Sequence, residues 1–454
     1  MLVRRNRPTV STGHSRQVRS RREARRPAGW CAMFASGLPF GRRLHTKPSR
    51  LAIIAYDRPL RSRVQARVTD FRRKDDQALR YLDWVYHVAA KGRLSLYDSS
   101  VSAPDALLAE AARKTFGDAG QASLAPVFGG GSMAMRRHLA DAFGISDDRV
   151  VATSGVSSGL ALVFAALARR VEHVLIERPG YQPFEDIARA AGLQAEGFRR
   201  SGAQMRPDLA DLGKRLRPET RMIVLSHLHN PTGLPLLDDD LAALVALCEA
   251  AGIWLVLDEI YGAFADDRSL AALRSPAVIS LSGLSKIFGL GALRCGWIVA
   301  SAAVAKRLRH ASVHHDTGLS AVSQAIGLAV LQDWCRFRAR TQAILDANRP
   351  IMVDWLIRMA GEGLVSGGLS PWGCLAFPGL EGMARTDGFA AWLLATRGVI
   401  VAPGHYWGAP AHIRLGCGMA QDTLVQGLAE LEQALRAYAT MDEPQRREVD
   451  AFSP

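Results

Sequence analysis

The sequence predicts an α/β protein: a large, mostly parallel sheet domain with helices on both faces, followed by a smaller α+β C-terminal domain. Three observations carry that expectation. Beyond about residue 75, short β-branched runs alternate with longer amphipathic stretches, the pattern of strands and covering helices in a parallel sheet. The chain has 454 residues, more than the roughly 250–300 that one hydrophobic core supports, so a large and a small domain are expected. Hydrophobic residues make up 48% and charged residues 22%, which excludes global disorder, collagen-like and coiled-coil architectures. No apolar run reaches the roughly 18 residues of a membrane-spanning helix, so no membrane partner is expected.

Residues 1–75 read as a basic, disordered extension. Residues 1–80 hold 21 Lys and Arg against 5 Asp and Glu, while the other 374 residues carry a net charge of −2. The overall charge of +14 therefore belongs to the N-terminus, and the nearly neutral body gives no reason to expect nucleic acid as a partner. Residues 1–27 contain nine arginines and one acid, Glu23, without hydrophobic periodicity. That composition suits an uninformative upstream extension, an organelle transit peptide or a nucleic-acid arm, but not a secretory signal, because no apolar stretch follows before Pro27. The six cysteines (Cys31, Cys248, Cys295, Cys335, Cys374, Cys417) form no CxxC pair. They read as reduced thiols, and a cytoplasmic location is expected, with organelle targeting left open.

Residues 76–120 are expected to pack with the small domain. In the large domain, 121–320, strands are expected at His173–Ile176, Met222–Ser226, Ile253–Leu257, Val278–Leu281 and Trp297–Ala300, each a short apolar run. Between them, helical periodicity covers Gly159–Arg169, Asp238–Ala251 and Ala303–His310. The small domain, 321–440, reads as one long helix to Met359, then Leu375–Phe377, a helix near Gly388–Thr396, Val399–Val401, Ile413–Gly416 and a terminal helix from about Gln421; residues 441–454 form a tail.

Ligands of an open parallel sheet bind beyond the carboxyl ends of its strands, and four such places carry polar residues. Thr153-Ser-Gly-Val-Ser-Ser-Gly159 leads into an apolar helix, where free N–H groups suit a phosphate, although N-capping alone would explain the residues. His229-Asn-Pro-Thr-Gly233 follows a strand and reads equally as a turn. Asp258-Glu-Ile-Tyr261 places a carboxylate at the mouth of a buried strand, which demands a cationic or hydrogen-bonding partner. In Ser282-Gly-Leu-Ser-Lys-Ile-Phe-Gly-Leu-Gly-Ala-Leu-Arg-Cys-Gly-Trp297, Lys286 stands just past a strand among small residues with Arg294 eight positions on, costly as a mere core feature.

This last segment resembles the pyridoxal-phosphate lysine signature of class I/II aminotransferases, the fold type I family, with Cys295 where a small aliphatic residue is usual. HNPTG and DEIY precede it in the family's order, and the resemblance runs from about Leu96 to Leu435. It implies a fold type I pyridoxal-phosphate-dependent transferase acting on an amino acid and a 2-oxo acid, as a homodimer with active sites at the subunit interface. It further implies that Lys286 forms a Schiff base with the cofactor and moves the Cα proton, a role for a lysine whose pKa is lowered. Asp258 would partner the pyridine nitrogen, and Asn230 and Tyr261 the 3′-oxygen. Arg294, Ser285 and the amides of Gly155, Val156 and Ser157 would hold the phosphate, and Tyr181 would cover the ring. His412-Ile-Arg414-Leu-Gly-Cys-Gly418, after a loop similar to the family's PGxxFG, implies that Arg414 binds the substrate carboxylate, with Asn230 and Ser102 beside it.

Some positions depart from the family pattern. Gly283 stands where some members use serine against the phosphate, and Ser102 where glycine is usual. No tyrosine stands near Pro126–Gly131, where many members lend one to the partner subunit. These departures keep a pyridoxal-phosphate lyase, cyclase or decarboxylase open beside the aminotransferase. A regulator with an aminotransferase-like effector domain would need a winged-helix module in 1–75, where no pair of amphipathic helices is seen. His227 and His229 lack a third ligand, so no metal is expected. No second substrate arginine can be located, which favours neutral or basic amino acids.

Overall fold

The computed structural model describes residues 80–88, 91–117, 125, 127–265, 271–315 and 318–452. The basic extension at 1–75 lies outside the described residues, as does Pro126.

Eight strands build the central sheet: β1 (Val150–Thr153), β2 (His173–Arg178), β3 (Gln194–Ser201), β4 (Arg206–Pro207), β5 (Thr220–Ser226), β6 (Trp254–Asp258), β7 (Val278–Gly283) and β8 (Gly296–Val299). Their order is β1-β8-β7-β6-β5-β2-β3-β4. The run β3-β2-β5-β6-β7 is parallel, while β8 is antiparallel to both β7 and β1, and β4 is antiparallel to β3. In register, Ser226 lies opposite Asp258, and Asp258 opposite Leu281, so the carboxyl ends of β5 and β6 finish level and β7 runs on to Gly283.

Both faces of this sheet are covered. Val151, Val174, Ile176, Val224, Val256, Ile279 and Ile298 pack on one face with Leu160 and Val163 of the helix Val156–Leu167 and Val304 and Leu308 of the helix Ala302–His315. Their chain neighbours Val150, Leu175, Ile223, Leu225, Leu255, Leu257 and Val299 belong to the core on the other face. Successive side chains of a strand point to opposite faces, so a sheet buried on both sides is written as continuous apolar runs.

In the C-terminal part, Leu375–Ala376 and Ala402–Pro403 flank Ile413–Gly416 in a small antiparallel sheet. Leu94–Ser95 pairs with Val399–Ile400, which brings the segment leading to Ser102 beside that sheet. The helices Asp387–Arg397 and Gln421–Thr440 complete this layer.

Three features differ from the sequence expectation. Strands β1, β3 and β4 are additional; β4 is only two residues long, and β3, Gln194–Ser201, is polar and partly exposed near the sheet's edge, so it lacks the apolar signal of the central strands. The expected single helix to Met359 is two helices, Ala321–Gln332 and Trp334–Gly361, separated at Asp333 with φ −105° and ψ 28°. A one-residue break leaves the hydrophobic periodicity nearly in phase and so passes unnoticed in a pattern. The tail contains a helix, Glu443–Asp450, started by a capping box between Asp442 and Gln445. Among the described residues, no helix is long and apolar enough to cross a membrane.

Candidate active site

The carboxyl ends of β1, β2, β5, β6 and β7 deliver most of the sequence-derived candidates to one side of the sheet. After β1, Gly155 turns the chain with φ +85° into the helix Val156–Leu167, and no side chain caps that helix. Its first amides are therefore left for another acceptor. Arg294 lies against this turn, donating from Nη2 to the Ser154 carbonyl at 3.0 Å. A Cβ on Gly155 would come within 2.9 Å of Arg294 Nη2, so glycine is what lets the guanidinium approach the helix end. Helix dipole, free amides and guanidinium together make an anion cradle. Val156 and Ser285 are half-buried and Ser157 is exposed beside it. Gly283 also has a steric reason: a Cβ there would meet the Cys295 carbonyl oxygen at 2.8 Å, so the serine used elsewhere does not fit between β7 and β8.

Lys286 follows β7, and its ammonium donates to Ser99 Oγ at 2.9 Å. Burial pulls its pKa below the usual lysine value, with Asp98 opposing and Arg414 reinforcing the shift. The Lys286 carbonyl accepts from the Val101 amide at 3.1 Å, which ties the 99–102 segment to the lysine. Ser102 donates its amide to the Gly418 carbonyl at 2.8 Å, and its hydroxyl accepts from Arg340 Nη2 at 3.2 Å.

Asp258 ends β6 and is 6% exposed. Burial pushes its carboxyl up to about 7; the Ile260 amide bond, at 3.0 Å, opposes this, and repulsion from Glu177 adds to it. A protonated ring nitrogen is the partner such a carboxylate lacks. The Tyr261 hydroxyl is buried with Ser99 beside it, yet meets no hydrogen-bond partner in good geometry. The uncapped helix end, the buried carboxyl group and this buried hydroxyl fit the phosphate, nitrogen and 3′-oxygen of pyridoxal phosphate.

Asn230 is held from below. Its amide donates to Ser226 Oγ at 2.9 Å, and Ser226 donates from N and Oγ to Glu177 Oε1 at 2.9 and 2.5 Å. Glu177, 0% exposed, is paired with the buried Arg200 at 2.6 Å. Asn230 Oδ1 accepts from Trp407 Nε1 at 3.0 Å and Arg414 Nη1 at 3.2 Å, which leaves Nδ2 as its donor. Neutral His229, its pKa driven well down by burial, donates from Nε2 to the Pro179 carbonyl at 2.9 Å and accepts from Thr232 at Nδ1, 2.8 Å away. That bond fastens the Tyr181 loop to the Asn230 loop. Tyr181 packs edge-on against Tyr81, with ring centres 5.6 Å apart, and lies among Arg414, Asp258 and Arg294.

Arg414, on Ile413–Gly416, is 1% exposed and lies 4.5 Å from the centre of the Trp407 ring. Its Nη2 donates to the Tyr81 hydroxyl at 2.7 Å and the Tyr97 carbonyl at 3.0 Å, while Nε is buried without a partner among the described residues. This side of the sheet thus joins an uncapped helix end beside Arg294, an amine of lowered pKa, a buried carboxyl group and a buried guanidinium. Tyr81, Ser99, Glu177, Arg200 and Trp407 were missed by sequence reasoning. Of these, only Trp407 stands in a segment already singled out, the loop Pro403–Gly408.

A family model described as "Aminotransferase class I and II" matches residues 95–431. Among curated proteins, capreomycidine synthase of Streptomyces vinaceus is 29% identical over 300 residues, covering 64% of this chain and 75% of that protein. Histidinol-phosphate aminotransferase of Rhodospirillum centenum is 30% identical over 297 residues, covering 64% and 78%. Among solved structures, the PLP-dependent cyclase OrfR superposes with a TM-score of 0.69 and 25% identity, over 80% of this chain and 99% of that one.

Proposed function

The chain belongs to the class I and II aminotransferases and is a pyridoxal-phosphate-dependent transferase, and from that premise we propose that it carries an amino group between an amino acid and a 2-oxo acid with Lys286 as its proton-moving base. The convergence of Lys286, Asp258 and Arg414 in one cleft carries this reading. When bound, pyridoxal phosphate supplies the electron sink for the charge left on Cα as its proton departs.

The chain's residues divide the remaining work. Arg294 and the amides of Gly155, Val156 and Ser157, with Ser285, bind the phosphate. Asp258 would hold the ring nitrogen, as an anion that keeps a proton there, since a cationic partner lowers a buried carboxyl pKa. Tyr261 and the Asn230 amide donate to the 3′-oxygen. Arg414 would take the substrate carboxylate and so orient the amino acid for proton removal from Cα. Burial favours the neutral amine of Lys286, the form that accepts a proton from Cα. Tyr181, packed on Tyr81 beside Trp407, helps to exclude water.

One experiment separates this reaction from its nearest rival. Holoenzyme mixed with a single neutral or basic amino acid, without 2-oxo acid, should release about one equivalent of 2-oxo acid per subunit. The cofactor's visible band should fall, and an added 2-oxo acid should restore it. The similarity to a cyclase structure and the Ser102 departure favour a second reading, a lyase or cyclase reaction on the same residues. Many turnovers of one amino acid with the band unchanged would establish it.

A second copy of the chain is the proposed partner. The helices Met133–Phe143 and Ala321–Gln332 border a cavity of about 1210 Å³, beside which Phe128 is 61% and Met133 53% exposed. Apolar surface of this kind marks an association face. Sedimentation should give a dimer, and a fully active monomer would refute it.

A further inference from the structure

We propose that Tyr81 stands in for the substrate carboxylate: its hydroxyl occupies Arg414 in the free enzyme and is exchanged for that carboxylate when an amino acid binds. The inference rests on the reading of Arg414 as the carboxylate-binding residue, and counting the N–H groups of Arg414 leads to it.

A guanidinium offers five N–H groups. On Arg414, Nη1 spends one on Asn230 Oδ1, Nη2 spends both on the Tyr81 hydroxyl and the Tyr97 carbonyl, and Nε–H is buried without a partner among the described residues. A two-pronged carboxylate contact uses adjacent N–H groups on two nitrogens, either Nη1 with Nη2 or Nε with Nη2. Both forks need Nη2, which is full, so one of its two acceptors must leave.

The Tyr97 carbonyl is not free to do so. Its neighbour Leu96 donates its amide to the Ile400 carbonyl at 3.0 Å and accepts from the Gly416 amide at 2.7 Å, so the segment is stitched to the strand pair around Arg414. Tyr81 is held differently. It begins the eight-residue helix Tyr81–Val88, which belongs to no sheet and on which Leu82 is 43% and Tyr86 84% exposed. Its amide reaches only a side chain, Gln182 Oε1 at 2.7 Å, and its ring meets those of Tyr181, Tyr406 and Trp407 with centres 5.2–5.6 Å apart. A phenol offers Nη2 a neutral acceptor, whereas a carboxylate offers charge-assisted bonds of roughly twice the strength, so the exchange runs toward substrate.

The test titrates the holoenzyme with butyrate and hexanoate, read from the cofactor's visible absorption, using wild type, Tyr81→Phe and Arg414→Ala with melting curves as folding controls. Phenylalanine keeps the ring contacts and removes only the competing hydroxyl. Tyr81→Phe should bind both acids about 5- to 10-fold more tightly, the worth of one neutral hydrogen bond. Its amino-acid KM should fall by a similar factor while kcat does not rise. Equal or weaker binding by Tyr81→Phe, with binding lost in Arg414→Ala, would overturn the exchange and leave the carboxylate site standing. Unchanged binding by Arg414→Ala, or no binding by any of the three proteins, would overturn the carboxylate site and the exchange together.

Discussion

Replacing Lys286 with alanine is expected to lower turnover by at least about 10⁴-fold, because one side chain both bonds the cofactor and moves the substrate proton. The other lysines among the described residues are Lys91, Lys114, Lys214 and Lys306, none of which stands in a motif of the cleft. Ser99, the hydrogen-bond partner of Lys286 Nζ, has no basicity with which to substitute for the amine. Two readouts are expected to fail together: steady-state activity, and the visible absorption of a lysine-bound cofactor. The fold should persist, since alanine removes a buried amine of lowered pKa and leaves the Lys286 carbonyl to its bond with Val101. A variant that kept both the absorption band and appreciable turnover would remove Lys286 from the mechanism.

The second large effect is expected at Arg414. Arg414→Ala should lower kcat/KM for the amino acid by roughly 30-fold to several thousand-fold, the range for deleting one partner of a buried, charge-assisted pair, about 2–5 kcal/mol. Cofactor content should stay near wild type, because the anion cradle at Gly155 and Arg294 is separate from the Arg414 strand. Some stability will be lost as well: the Tyr81 hydroxyl, the Tyr97 carbonyl and Asn230 Oδ1 each lose a donor. Parallel measurement of cofactor stoichiometry, melting temperature and kinetics distinguishes the two roles. Loss of cofactor in proportion to activity would make Arg414 a structural residue.

What was legible in the sequence follows a physical pattern. The five expected strands lie within the sheet because a strand buried on both faces must be apolar at successive positions, and Val278–Leu281 or Ile253–Leu257 have few other readings. Polar β3 carries no such signature, and the break at Asp333 costs the helical pattern only one residue. The cofactor-side candidates were readable for a related reason. Asn230, Asp258 and Lys286 each lie within a few residues of a strand end, so the motif that names them and the geometry that aims them belong to one short segment.

The contacts that hold these candidates are different in kind. Tyr81 and Arg414 are 333 residues apart, Ser99 and Lys286 are 187 apart, and Glu177 reaches Ser226 across 49. Nothing local marks Tyr81, Ser99 or Glu177, because a tyrosine on a short amphipathic helix or a glutamate near the end of a strand is satisfied by many surroundings. Periodicity alone carried the α/β sheet, and motifs of about ten residues carried the family resemblance that implied the cofactor and the candidates at the strand ends. Only the tertiary structure decided what holds Asn230 from beneath and what occupies Arg414, because a buried polar group takes its hydrogen bonds from whichever distant segment the packing brings within about 3 Å.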